Sequence, residues 1–217
     1  MLKFTPLEKF KVQKPVDRLS YISQFCKNKK VLDIGCYDET AIKLKKNTGY
    51  WLHGLIARQA KKVIGIDSSE KIKSEIKTGP NSKIIKKDLY DIDKTFATSY
   101  KVDVIVAGEL IEHIPDVMKF LQLLKKLYPK KILIITTPNA TAQTNILLAI
   151  LNRESNHKDH ISIFSYKTLY ALCKKSGFRK FKIIPYHVKL TEMQLSSHKI
   201  RSFFVLIIEK IINISEN

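Results

Sequence analysis

Acidic residues end three short apolar segments in the first half of the chain. Asp33, two positions before Gly35, closes the first segment, and Asp67 and Asp88 close the next two. A carboxylate there can accept hydrogen bonds from the two hydroxyls of a ribose or from the amino group of adenine, and a glycine lets a ligand approach the backbone. An acidic residue after a strand can also simply cap the following helix. Three of them together with Gly35 favour a nucleotide-like ligand.

A second set of chemistry-bearing residues lies in the segment 109–113. If this segment is helical, Glu109, Glu112 and His113 share one face, because residues three and four positions apart are neighbours on a helix. Together with His160 they could hold a divalent cation that lowers the pKa of an acceptor hydroxyl. We favour the alternative without metal, in which Glu112 and His113 shape the pocket and are the candidate catalytic residues. His113 then has either the role of a general base, since an imidazole has a suitable pKa, or a packing role.

Five apolar segments rich in β-branched residues are the strands expected to position these groups. They are residues 29–35, 61–67, 82–88, 102–108 and 130–137. Helices are predicted at 16–26, 49–60, 69–78, 115–127, 141–151 and 165–177. Strands that are apolar on both faces, with helices between them, form a parallel sheet covered on both sides. The acidic residues and the stretch from Gly108 should therefore meet at one rim, at the carboxyl ends of the strands.

The predicted fold is a doubly wound α/β sandwich with a mainly parallel sheet and helices on both faces. We expect a single domain over 1–217, with an irregular N-terminal segment (1–15) and an apolar C-terminal appendage (189–217). Residues 179–188 are predicted to form a further strand. Residues 200–214 are predicted to form an apolar helix or strand that packs on the domain or a second subunit, or alternatively contacts a membrane surface.

The composition limits the partners. The net charge is +19, but 34 of the 39 basic residues are Lys and they are spread along the chain, so nucleic-acid binding is an alternative that we do not favour. The three cysteines are too few and too far apart for a disulfide framework or a cysteine zinc site. No apolar run reaches the roughly 18 residues of a membrane span. A cytoplasmic location is expected, and the oligomeric state stays open.

Five motifs resemble, in order and spacing, those of class I S-adenosylmethionine-dependent methyltransferases. They are VLDIGC (31–36), VIGID (63–67), KKDL (86–89), DVIVAGELIEHI (103–114) and ILIITTPNA (132–140). The resemblance covers roughly residues 16–185. More narrowly, YWLHGLIA (50–57) and HKDHISIF (157–164) are similar to a bacterial branch of uncharacterised methyltransferases that are suspected of acting on glycans, lipids or other small molecules.

The resemblance implies S-adenosylmethionine as cofactor. Asp33 and Gly35 would lie beside its methionine portion and ribose, Asp67 would accept the ribose hydroxyls, and Asp88 would flank the adenine. The complete implied cofactor-binding set is Asp33, Gly35, Cys36, Asp67, Ser68, Asp88, Leu89, Gly108 and Glu109. The candidate metal ligands Glu109, Glu112, His113 and His160 resemble a pattern in small-RNA 2′-O-methyltransferases and in some ubiquinone-pathway O-methyltransferases.

One departure from the family pattern concerns the loop after the first strand. Tyr37 and Glu39 stand where the family usually has glycine. Either a larger loop still holds the cofactor, or cofactor binding is weakened or lost. The expected function is methyl transfer to an oxygen or nitrogen of an unidentified small-molecule, sugar or lipid-linked acceptor. The alternatives are an RNA-modifying methyltransferase, with or without metal, and a non-catalytic partner protein with the same fold.

Overall fold

The computed structural model describes residues 12–39, 42, 46, 48–154, 156–187, 189 and 199–215. Its centre is a six-stranded sheet in the order β3-β4-β2-β1-β5-β6, in which only the β3–β4 pair is antiparallel. The strands are β1 (Lys30–Ile34), β2 (Lys62–Asp67), β3 (Glu75–Gly79), β4 (Ser82–Lys86), β5 (Val104–Gly108) and β6 (Ile132–Thr136). The predicted mainly parallel, doubly wound sheet is confirmed.

Seven helices of six or more residues are described around this sheet. They are α1 (Arg18–Phe25), α2 (Leu52–Gln59), α3 (Lys94–Ser99), α4 (Val117–Leu127), α5 (Gln143–Ile150), α6 (Tyr166–Lys175) and α7 (Lys199–Ser215). Side chains cap several of them: the Asp116 carboxylate accepts the backbone N–H of Lys119 at the start of α4, and Ser165 forms a capping box with Thr168 on α6. Such caps fix where each helix begins relative to the strand before it.

The two faces of the sheet carry separate apolar cores because successive side chains of a strand point to opposite faces. Leu32 and Ile34 of β1 belong to the cluster that contains Phe120 and Leu121 of α4. Val31, between them, belongs to the cluster formed with α1 and α2. All five side chains are at most 1% exposed. Both faces of the central strands are therefore covered, as their apolar sequences require.

The predicted helix over 69–78 is wrong. Its second half forms β3, an edge strand that pairs antiparallel with β4 through a tight connection at residues 80–81. Ile76 packs against the core while Glu75 and Lys77 are exposed, which is the period-two alternation of a half-buried strand. In a segment this short, the same residues also fit the spacing of a helix.

The predicted strand over 179–188 is also wrong. Over residues 179–187, the part of this range that the structure describes, the one pairing is an isolated bridge between Tyr186 and Val16. Pro185 has no N–H to contribute to a ladder, and its carbonyl instead accepts the backbone N–H of Val16.

Residues 199–215 form a helix, one of the two forms predicted for 200–214, whereas residues 190–198 lie outside the described part of the chain. On this helix Val205 is buried, and Phe203, Leu206, Ile207 and Ile208 are exposed. No helix among the described residues is long and apolar enough to cross a membrane.

Candidate active site

The strands β1, β2 and β5 end side by side at one rim of the sheet. In the parallel register Ile34 lies beside Ile66 of β2 and Ala107 of β5. Immediately beyond, the backbone N–H of Gly35 donates to the carbonyl of Ile66 at 2.9 Å. The loops that follow these strands therefore face one another, which is where ligands of such sheets bind.

The carboxylate of Asp33 is buried in the core and contacts a buried histidine there. The residue is 3% exposed, and its Oδ2 lies 2.9 Å from Nδ1 of His53, which is 1% exposed. The other ring nitrogen of His53 lies 3.0 Å from Oγ1 of Thr78, whose hydroxyl donates to Oγ of Ser82. This buried polar chain joins β1, α2 and the β3–β4 hairpin. The Asp33 carboxylate is thus bonded within the core, and the contact of Asp33 with the cofactor stays a prediction.

Gly35 adopts a conformation that favours glycine. Its φ is +68°, and a Cβ atom at this position would lie 2.6 Å from Cδ1 of Leu110. The loop after β1 therefore contacts the segment after β5 closely. The next residue, Cys36, is buried, and the indole N–H of Trp51 donates to its carbonyl at 3.1 Å. Burial raises the pKa of the Cys36 thiol well above its usual range, so Cys36 is not set up as a nucleophile.

Asp67 joins two loops at the end of β2. One carboxylate oxygen accepts the backbone N–H of Tyr37 at 2.8 Å, and the other accepts that of Ser69 at 2.9 Å. Burial raises the pKa of Asp67, and these two hydrogen bonds oppose that shift. A carboxylate offers about four acceptor positions, so two are left for ligand hydroxyls. Ser68 beside it is exposed.

The residues that replace glycine after β1 are bonded to the loop after β2. Glu39 accepts the hydroxyl of Ser69, and its carboxylate pairs with the Lys71 ammonium at 3.0 Å. Together with the Tyr37 contact to Asp67, these bonds fix residues 37–39 against residues 67–71. Most of residues 40–47 lie outside the described part of the chain.

Asp88 caps a short 3₁₀ turn, Leu89–Asp91, at the end of the β4 segment. Its Oδ1 accepts the backbone N–H of Tyr90 at 2.8 Å, and the residue is exposed. The capping role that the sequence left open is therefore present. Leu89 is partly buried against the core. A contact of these two residues with adenine stays a prediction.

Glu109, directly after β5, contacts residues other than those it was predicted to join. Its φ is +52°, and the segment that follows is only a 3₁₀ turn, Ile111–His113. Its carboxylate oxygen lies 2.9 Å from the Tyr186 hydroxyl and 3.7 Å from Nη1 of Arg18. Gly108, just before it, has room for no side chain: a Cβ would lie 2.8 Å from Leu52.

Arg18 and Tyr186 are site residues that the sequence reasoning missed. The Tyr186 hydroxyl also lies 2.8 Å from the carbonyl of Thr137, and Arg18 donates to Oγ1 of Thr136. Burial, and then the charge of Glu109, raise the pKa of the Tyr186 hydroxyl far above its usual range. No local motif marks this pairing, because the two residues lie far from Glu109 in sequence.

Glu112 is a buried carboxyl group without a partner. The residue is 1% exposed, and neither carboxylate oxygen has a hydrogen-bond partner among the described residues. Burial, reinforced by the nearby charge of Glu109, raises the pKa of Glu112 to about 7. A buried carboxyl group left unpaired is costly, and such groups are concentrated at functional sites.

Three of the four candidate metal ligands come together. One ligand atom each of Glu112, His113 and His160 lies within 4.8 Å of the others, and Glu109 is not part of this group. The rings of His113 and His160 are 4.7 Å apart, and the ring of His157 lies 5.8 Å from that of His160. Burial, and then the neighbouring histidines, lower the pKa of His160. One carboxylate and two imidazoles match the ligands that zinc and other transition metals prefer.

The loop that carries His160 is bound to the turn that carries Glu112. The carbonyl of Glu112 accepts the backbone N–H groups of both Ile161 and Ser162, at 2.9 and 3.1 Å. His113 Nδ1 lies 3.1 Å from the carbonyl of Asp159, which identifies Nδ1 as the protonated nitrogen of the neutral ring. Nε2 of His113 is then the nitrogen that can accept a proton.

The geometry of the rim fits a nucleoside ligand. The loop after β1 passes through a glycine with positive φ, and the carboxylate of Asp67 keeps two acceptor positions for adjacent hydroxyls. A six-stranded, mainly parallel sheet of this order with helices on both faces fits the Rossmann-like fold of methyltransferases.

Comparison with known proteins gives the same class. A family profile described as "Methyltransferase domain" matches residues 8–182. Since this is most of the chain, the chain belongs to the methyltransferase-domain family, and it is a class I S-adenosylmethionine-dependent methyltransferase domain. No curated protein matches it in sequence.

Solved structures share the fold. A putative methyltransferase from Bacillus halodurans is 12% identical with a TM-score of 0.55, and the match covers 87% of this chain and 82% of that one. The small RNA methyltransferase HEN1 is 18% identical with a TM-score of 0.52, and the match covers 79% of this chain. This chain spans only 23% of the length of HEN1.

Proposed function

We propose that this domain transfers a methyl group from S-adenosylmethionine to an acceptor hydroxyl carried by a lipid-linked or otherwise apolar molecule. The observation that carries the proposal is the apolar surface beside the Glu112 turn. Helix α5 has no buried residue, although its sequence is strongly apolar. Exposed apolar side chains occur on α5 and directly after it and also in the loop after His160: they are Ile146, Leu147, Ile150, Leu151, Ile161 and Ile163. That loop is bonded to the Glu112 turn through the Ile161 N–H, and the carbonyl of Phe164 at its end accepts the N–H of Ala140, shortly before α5. We take these side chains together as the proposed acceptor surface.

Apolar groups around the mouth of a site select acceptors with apolar parts. Ile150 is 72% exposed and Ile161 is 58% exposed, and Ile161 directly follows His160. A soluble protein rarely exposes a contiguous apolar patch of more than a few hundred Å² unless the patch binds something. A lipid tail on the acceptor would cover these side chains while its hydroxyl lies at the Glu112 turn.

The proposed chemistry assigns roles to four residues. When bound, S-adenosylmethionine supplies an electrophilic methyl group. Asp67 would bind the ribose hydroxyls, and the backbone after Gly35 would approach the methionine portion. His113 would accept the acceptor's hydroxyl proton at Nε2 as the new oxygen–carbon bond forms, with the sulfur of the donor as leaving group. Glu112 would stabilise the resulting imidazolium.

The test of this proposal uses tritium-labelled S-adenosylmethionine with two extracts of the source cells, a chloroform-phase lipid extract and an aqueous one. We expect the wild type to transfer label to the lipid extract. His113→Ala should transfer at least about tenfold less label, since general-base catalysis accelerates a reaction by about 10²–10⁴-fold. His187→Ala is the matched control for loss of an imidazole. Label found only in the aqueous extract would contradict the apolar acceptor.

A metal-assisted reaction is a second candidate, supported by the unpartnered carboxylate of Glu112 beside two imidazoles. A cation held by Glu112, His113 and His160 would lower the pKa of the acceptor hydroxyl. Calorimetric titration of the chelator-treated protein with Zn²⁺ and Mn²⁺ tests it. The metal-assisted candidate predicts one binding site that is lost in His160→Ala and kept in His187→Ala. The favoured reaction without metal predicts no binding by the wild type, with His113 as the base.

The alternative of a non-catalytic partner protein is supported by residues 37–39, where Tyr37 and Glu39 replace the family's glycines. Hydrogen bonds of these two residues with Asp67 and Ser69 hold this loop in place. Titration with S-adenosylmethionine separates the two cases. Micromolar binding that disappears in Asp67→Ala supports the enzyme, and no binding by the wild type supports a partner protein.

A further inference from the structure

Two segments of the chain are much more basic than the chain on average. Residues 125–131 (KKLYPKK) and 174–182 (KKSGFRKFK) contain nine Lys or Arg in sixteen residues and no Asp or Glu. Over the whole chain, Lys and Arg are 39 of 217 residues, fewer than one in five. A general bias towards Lys therefore does not account for these two segments.

The fold brings the two segments together at the ends of α4 and α6. The Lys125 ammonium donates to the carbonyl of Gly177 at 2.5 Å and lies 5.9 Å from the centre of the Phe178 ring. Between the segments is an open cavity of about 420 Å³. It is lined by Ile105, Leu124, Lys125, Tyr128, Lys130, Lys131, Leu133, Gly177, Phe178 and Arg179.

A second open cavity, of about 490 Å³, extends this surface. It is lined by Tyr170, Lys174, Arg179, Lys180, Phe181 and Lys182. Arg179 lines both cavities, so they adjoin, and together we call them the basic cleft. Among the described residues, the acidic group paired with this surface is Asp103, 3.9 Å from the Lys131 ammonium.

Aromatic rings lie among the cations of the basic cleft. The rings of Tyr170 and Phe181 are 5.1 Å apart, and the Lys174 ammonium lies 5.7 and 6.0 Å from their centres. Both aromatic residues are partly exposed. Cations that follow a groove, with aromatic faces between them, are the combination that binds single-stranded nucleic acid: the cations contact phosphates and the rings stack on bases.

The basic cleft is separate from the rim where methyl transfer is proposed. It lies at the turn before β6, the amino end of that strand, whereas the candidate active site lies at the carboxyl ends of the strands. Helix α6 begins next to Phe164, which bridges to Asn139 after β6, and ends at the cleft. Its ten residues span about 15 Å.

We propose that the basic cleft binds single-stranded nucleic acid without base specificity, an activity that does not depend on the proposed acceptor. The cations are Lys, apart from Arg179, and Lys contacts phosphate as a point charge without the fork that reads bases. An anionic membrane fits less well, because a membrane-binding face needs protruding apolar side chains. In the two segments and the cleft lining, none of the described large apolar residues is exposed; the nearest is Ile132.

The test is fluorescence anisotropy with 12-nucleotide poly(U) and poly(A) RNA, using the full chain without S-adenosylmethionine. The variant R179Q/K180Q/K182Q removes three exposed charges of the cleft. The control K73Q/K77Q/K94Q removes three exposed charges elsewhere. We expect the first variant to bind at least about tenfold more weakly and to lower the slope of log K against log salt by about 2, as three lost phosphate contacts predict for a single strand. The control should match the wild type.

Two results would overturn the proposal. One is equal affinity and equal salt slope for the two triple variants, because the binding would then come from net charge alone. The other is that the wild type does not bind RNA but binds phosphatidylglycerol vesicles or poly-glutamate, because the cleft would then serve a membrane or an acidic protein. Since the assay contains neither methyl donor nor acceptor, its failure is distinguishable from failure of the proposed methyl transfer.

Discussion

The buried pair of Asp33 and His53 gives the sharpest stability prediction. The change is His53→Ala, which removes the ring 2.9 Å from the Asp33 carboxylate and leaves that carboxylate buried without its partner. Breaking a buried charged or hydrogen-bonded pair from one side costs about 3–5 kcal/mol. The cost falls on folding rather than on chemistry, because the pair lies inside the core.

The assay is thermal unfolding followed by circular dichroism, together with urea titration at neutral pH. For a chain of this size 1 kcal/mol shifts the melting temperature by about 2–4 °C, so a decrease of roughly 10 °C is expected. The second variant, Asp33→Asn/His53→Gln, keeps a neutral hydrogen-bonded pair and should recover much of the loss. If the free energy of unfolding of His53→Ala were within 1 kcal/mol of that of the wild type, the buried polar chain would not hold β1, α2 and the β3–β4 hairpin together.

Three further variants test other parts of the fold. Gly35→Ala should cost about 1–2 kcal/mol, because its φ is positive and the new Cβ would meet Leu110, and titration with S-adenosylmethionine should show weaker binding than the wild type. Phe120→Ala should lower the free energy of unfolding in urea by about 3–5 kcal/mol, since the side chain is fully buried; a loss below 1 kcal/mol would mean that the site collapses. Asp17 has a lowered pKa: burial alone would raise it, but hydrogen bonds from Lys189 and from the first turn of α1 outweigh burial and lower the pKa of Asp17 to about 2. Asp17 should therefore stabilise the protein above pH 4 by about 1 kcal/mol after solvent screening and lose this contribution as the pH falls towards 2. In Lys189→Ala the free energy of unfolding should change less with pH over this range.

The sequence predicted the central strands because their burial is encoded locally. β1, β2 and β5 are rich in Val, Ile and other apolar residues and are buried on consecutive positions, which requires a sheet covered on both faces. The edge strand β3 was missed because it is short and half-exposed, with charged residues that also suit a helix, whereas its partner β4 was predicted. The same local reasoning placed Asp67 and Gly35 at strand ends, where the structure has them.

The parts of the site that could not be predicted depend on long-range contacts. Glu109 was expected to share a helical face with Glu112, but with its positive φ and its contacts with Tyr186 and Arg18 it is not part of the group formed by Glu112, His113 and His160. Tyr186 is 77 residues away in sequence, so no local spacing could reveal that pairing. Glu112, His113 and His160 were named as candidate metal ligands from their chemistry, and the structure places them together. Hydrogen bonds from Ile161 and Ser162 to the carbonyl of Glu112 hold the loop that carries His160 beside this turn.

Helix α5 has a consequence for how such a domain can evolve. Because none of its residues is buried, substitutions along α5 remove little packing from the core and should change stability only slightly. Gly35 and Asp67, by contrast, are held by a close approach to Leu110 and by hydrogen bonds between loops, so they tolerate little change. Under the proposed function, mutations in α5 would change the acceptor while the cofactor-binding residues are kept, so related chains could diverge in substrate without losing stability.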